Sequence, residues 1–156
     1  MIRKTWLPLF GLTVLFLMAS MACEQGPPTY ALLTMKHDAT RIQIVTVMKV
    51  WSESECEVAS REFSKGFLEG STPGEWRETE RSCQQVLEPI YQRVMNNEKF
   101  HATYLILRPK GDWRYESRVV IFGVPSSEAQ PVCEKLSKEM EKELQASAEC
   151  VQGTIG

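Results

Sequence analysis

Four cysteines constrain this chain more than any other feature, because they recur in two similar settings. Residues 47–56 (VMKVWSESEC) run from a β-branched stretch through a serine-rich helix start to Cys56. Residues 120–133 (VIFGVPSSEAQPVC) repeat that order and end on Cys133. Each unit is followed by a later cysteine, Cys83 or Cys150. Four cysteines allow three pairings, and geometry favours one. A helix from Cys56 to about residue 69 descends about 20 Å at 1.5 Å per residue. A strand over residues 77–83 returns about 20 Å at 3.3 Å per residue. In the second unit, a helix from Cys133 to about residue 144 and the segment 145–150 each cover about 17 Å. Cys56–Cys83 and Cys133–Cys150 are therefore the expected bridges, each tying a helix to the strand after it. Loop-closure entropy puts each at about 3 to 3.5 kcal/mol.

Periodicity supplies the elements between the cysteines. Residues 41–51 (RIQIVTVMKVW) place Ile42, Ile44, Thr46, Met48 and Val50 on one strand face. Ser52 with Glu55 reads as a capping box, and Cys56, Ala59, Phe63 and Phe67 mark the buried stripe of a helix that Gly70 ends. Residues 76–83 return as a strand. Residues 89–97 fit a short helix with Pro89 in its first turn, and a strand reading is nearly as good; the helix is favoured. Residues 101–108 and 113–124 form a hairpin across Pro109-Lys110-Gly111-Asp112. Ala129, Cys133, Leu136, Met140 and Leu144 mark a second helix, and a short strand near residues 149–152 closes the chain. These elements predict an α+β two-layer sandwich: a mainly antiparallel sheet, helices on one face and two disulfides. The order βαβ-insert-ββαβ is similar to the ferredoxin-like arrangement.

The N-terminus carries an address. Arg3 and Lys4 precede an uncharged apolar run from Trp6 to Met18, and small residues lead into Cys23. This is the layout of an export signal. The run Ser20-Met21-Ala22-Cys23 resembles the lipobox of bacterial membrane lipoproteins, although Ser20 stands where that class prefers leucine. The resemblance implies removal of residues 1–22, lipidation of Cys23 by a diacylglyceryl group and a further acyl chain such as palmitate, and attachment to a membrane. Glu24, rather than aspartate, after the cysteine resembles the outer-membrane class facing the periplasm. Two other outcomes stay open: a soluble secreted or periplasmic protein cleaved at a small-x-small site, or an uncleaved anchor. A lipidated Cys23 also accounts for the odd total of five cysteines. Gly26, Pro27 and Pro28 open a stretch read as a flexible tether over residues 23–40. Residues 41–156 then form a single disulfide-stapled domain.

Charge excludes one class of partner. The chain has 18 basic and 20 acidic residues, and removing residues 1–22 takes away two bases and no acids. A mildly acidic surface gives no electrostatic case for nucleic acid. Reactive motifs are likewise missing. The two histidines, His37 and His101, form no metal-ligand spacing, no Cys-x-x-Cys or Gly-x-Ser-x-Gly occurs, and no phosphate-cradling loop is present. No metal, cofactor or catalytic residue is implied. The candidate binding surface is aromatic and basic: Trp113, Tyr115, Lys110 and Arg114 at the hairpin, with Trp51 at the end of the first strand. If helices cover only one sheet face, Trp51 with Val45 and Val47 forms an exposed patch. The expectation is a non-enzymatic envelope lipoprotein with a binding or structural role, its partner an envelope protein or cell-wall glycan. The alternative is a periplasmic enzyme or enzyme inhibitor whose groups converge only in three dimensions.

Overall fold

The computed structural model describes residues 27–111 and 113–153. The leader and Cys23 lie outside them. The elements are β1 (Thr29–His37), β2 (Gln43–Val50), α1 (Glu53–Gly70), β3 (Trp76–Gln84), α2 (Pro89–Met95), β4 (Thr103–Arg108), β5 (Ser117–Phe122), α3 (Ser126–Glu143) and β6 (Ser147–Val151). The six strands form one sheet in the order β3-β1-β2-β5-β4-β6, antiparallel at every ladder. The α+β class, the antiparallel sheet and both bridges are as expected.

The tether needs correction first. Residues 29–37, assigned to the tether, form β1, which lies between β3 and β2. The domain therefore begins at Thr29 rather than residue 41. The strand is held from both sides. Ala31, Leu33 and Met35 pack under the long helices, while Leu32 packs on the other face with Val45, Val47 and Leu87. The element order is accordingly ββαβ, a short helix, then ββαβ again, and the ferredoxin-like order is one strand short.

With β1 in place, the sequence echo becomes a geometric one. Cys83 pairs with Ala31, which pairs with Met48 on its other side. Cys150 pairs with Leu105, which pairs with Val119. In the central ladder Met48 opposes Ser117 and Thr46 opposes Val119. The two halves thus exchange by an approximate two-fold rotation passing between Val47 and Arg118, which oppose each other. The bridges occupy equivalent places, with Cα separations of 6.1 Å for Cys56–Cys83 and 6.0 Å for Cys133–Cys150. Such separations suit an unforced disulfide.

The long helices α1 and α3 cover one face, over Leu33, Met35, Ile44, Met48, Leu105, Leu107, Val119 and Ile121. Ser52 caps α1 by accepting from the Glu55 backbone N–H at 3.1 Å. Glu55 reaches back one residue further than in the usual capping box, accepting from the Trp51 N–H at 2.8 Å. Residues 89–95 form the helix, with Pro89 in its first turn. That helix lies on the opposite face, so the helices do not all share one face as expected: Val94 packs with Tyr104, Ile106 and Val120. Leu87, just ahead of it, covers Val45 and Val47, so those two valines are buried rather than exposed.

Candidate functional site

The structure divides the five predicted surface residues. Trp113 and Tyr115 are 5% and 3% exposed and belong to the main core. They do not form the exposed aromatic surface expected at the hairpin. The strand period gives the reason: positions 113, 115, 117, 119 and 121 share the phase that faces the long helices. Trp113 meets Phe63 of α1 edge-on, ring centroids 5.8 Å apart, and Tyr115 at 5.3 Å. Lys110 is exposed and forms an isolated bridge with Trp113.

Arg114 and Trp51 do reach the surface, and the fold brings them together. Lys49 N–H donates to Glu116 O at 3.1 Å, which lays the end of β2 beside the approach to β5. Trp51, one residue past β2, is 53% exposed, with the Lys49 ammonium 5.0 Å from its ring centroid. Arg114 donates to the Tyr115 hydroxyl at 2.9 Å and lies over that ring at 5.1 Å. Lys49, Trp51, Arg114 and Tyr115, with Glu55, Pro109 and Glu116, line an open cleft of about 210 Å³.

Its electrostatics are mixed. Burial pushes the Tyr115 phenol up, the Arg114 hydrogen bond opposes this, and Glu62 and Glu55 add to the rise. The phenol is therefore a neutral hydroxyl at physiological pH. Glu116 pairs with Arg118 at 2.8 Å, and Glu55 is engaged at the Trp51 amide. What remains is an indole face flanked by two cations, suited to non-covalent contact through apolar and cation–π terms.

The histidines sit elsewhere. His37, expected in the tether, closes β1: its Nδ1 accepts from Ala39 N–H at 3.2 Å and its Nε2 donates to Glu75 at 3.1 Å. The hydrogen bond from His37 is the main cause holding the Glu75 carboxyl below its ordinary value. His101 is exposed and lines a cavity of about 200 Å³ with Thr103, Phe122, Gly123 and Ser126; among the described residues no carboxylate lines it. Among the described residues no group of three His, Cys, Asp or Glu side chains is placed to hold a metal ion.

Comparison with family models, curated proteins and solved structures finds no match to this chain. The functional reading therefore rests on its own residues.

Proposed function

We propose that this chain is a cell-envelope lipoprotein, exported, anchored through lipid on Cys23, and non-enzymatic in its binding or structural role. The observation that carries the reading is the bonding of the four body cysteines to one another. Such bridges form and persist in oxidising compartments, and they leave none of those four to partner Cys23. The apolar leader ending at Ala22-Cys23 agrees independently. The Trp51–Arg114 cleft is the surface offered to an envelope component, and Glu24 favours the periplasmic side of the outer membrane.

Intact mass of the protein extracted from cells tests this directly. The expected species begins at Cys23, carries acyl groups, and takes up four alkylating groups only after reduction. A retained leader, or four thiols that alkylate without reduction, overturns it. Crosslinking in cells then tests the surface. Trp51→Ala with Arg114→Ala is expected to lose contacts that the native protein makes, and an unchanged pattern excludes the cleft.

A further inference from the structure

The correction at β1 changes where the domain sits. A tether over residues 23–40 would let it swing tens of ångströms from its attachment. With the sheet starting at Thr29, the lead from Cys23 is only six residue steps. Even fully extended, that is about 20 Å.

The end of the domain where the chain enters also carries its exposed apolar side chains. Thr29 pairs with Val50 and Tyr30 with Gln84. Trp51 and Val86, one and two residues beyond those partners, therefore stand at the same end of the sheet. Strands β3, β1 and β2 are consecutive, so the two residues follow strand ends roughly 10 Å apart. Val58 lies on α1 close to Cys56, whose bridge leads to Cys83 beside Ala31. Among the described residues the exposed large hydrophobics are these three, with Val86 at 76% and Val58 at 39%.

We propose that this end of the domain is a bilayer-contact surface, with Trp51 and Val86 seated at the level of the lipid headgroups. The proposal rests on the lipid attachment at Cys23 and names the partner of the Trp51 cleft. An indole with an apolar body and a polar N–H suits the membrane–water boundary. Lys49 and Arg114 line the cleft there together with Glu55 and Glu116. With both signs present, the attraction is apolar and should depend little on lipid charge or salt.

Fluorescence reads this out, because Trp76 and Trp113 are buried and the mature chain lacks Trp6. The full mature protein is reconstituted into vesicles of phosphatidylcholine, with and without phosphatidylglycerol, and quenched by brominated lipid or aqueous iodide. The expected result is a blue shift, quenching by brominated lipid and loss of iodide quenching in both compositions, all absent from Trp51→Phe. A Trp51 that stays open to iodide on the vesicle-bound protein overturns the proposal. So does a concentration-dependent blue shift without lipid, which assigns the surface to a second copy. Intact mass of the same preparation keeps the two readings apart. Should Cys23 carry no lipid, the anchoring reading fails, and the soluble protein is titrated with excess vesicles. Brominated-lipid quenching in that arm sustains the contact surface, and its absence ends it.

Discussion

Val47 on β2 and Arg118 on β5 oppose each other across the central ladder, and the rotation that exchanges the two halves passes between them. An aliphatic side chain thus stands opposite a cation at the axis that relates the halves. Arg118 is 2% exposed, yet its donors are engaged: Nε on Asn97 Oδ1 at 2.8 Å, Nη1 on Ser117 O at 2.9 Å and Nη2 on Glu116 at 2.8 Å. Asn97 adopts φ 58° just after α2, a conformation asparagine tolerates better than most residues. The guanidinium therefore clamps the end of the insert to the sheet.

Removing that clamp should be costly. Arg118→Ala empties a buried volume and releases the end of α2 from the sheet, a loss on the order of 3 kcal/mol. Arg118→Met retains most of the volume and should lose less. Urea unfolding of the two variants checks the order, and exchange of the α2 amides should rise selectively in both.

The bridges give a second expectation. Replacing Cys133 and Cys150 by alanine should lower stability by about 3 kcal/mol, and replacing Cys56 and Cys83 by about 3.5 kcal/mol, from their loop lengths. Denaturant midpoints of the two double variants, and of the reduced native protein, provide the comparison. Equal midpoints with and without reductant would contradict both bridges.

The tryptophans should separate cleanly. Trp113→Ala removes a core ring packed on Phe63 and should cost about 3 to 5 kcal/mol. Trp51→Ala, at an exposed position, should stay within about 0.5 kcal/mol. Thermal unfolding of both measures the contrast.

Acid should weaken the seam between α1 and β3. Ser64 donates to Glu78 at 2.6 Å, and Arg81 grips the same carboxylate through Nε at 3.0 Å and Nη2 at 2.8 Å. Burial pushes the Glu78 carboxyl up, but these bonds and the Arg81 charge outweigh it, leaving it below its ordinary 4.5. A carboxyl depressed by folding contributes stability that is present above 4.5 and lost as pH falls through the lower folded value. Unfolding free energy should therefore drop as pH falls below 4.5, and Glu78→Gln should shrink that drop. A variant with the native pH slope would remove this carboxylate from the account.

Much of the architecture was legible in the sequence because burial on a single face leaves a period. The α1 stripe of Cys56, Ala59, Phe63 and Phe67 and the α3 stripe of Ala129, Cys133, Leu136 and Met140 are examples. β1 was not legible because its apolar residues are only a short run, Ala31 to Leu33, with Met35 alone beyond it. Its Thr34, Lys36 and His37, close after two prolines, resemble linker composition. At the hairpin, Lys110 and Arg114 drew attention to an aromatic and basic tip. The phase carried back from Ile121 through Val119 and Ser117 would have placed Tyr115 and Trp113 inside. The convergence of Trp51 with Arg114 depends on the β2–β5 ladder, a pairing that no local pattern records.

The internal position of β1 has a mechanical consequence. Tension arriving through residue 27 enters a strand bonded along both sides, to β2 and β3, and not a strand at the sheet margin. A pull along that axis loads the two ladders in shear, so many hydrogen bonds must yield together rather than peel one by one. A domain hauled by its leading end would resist extraction more stubbornly than one attached through β3 or β6.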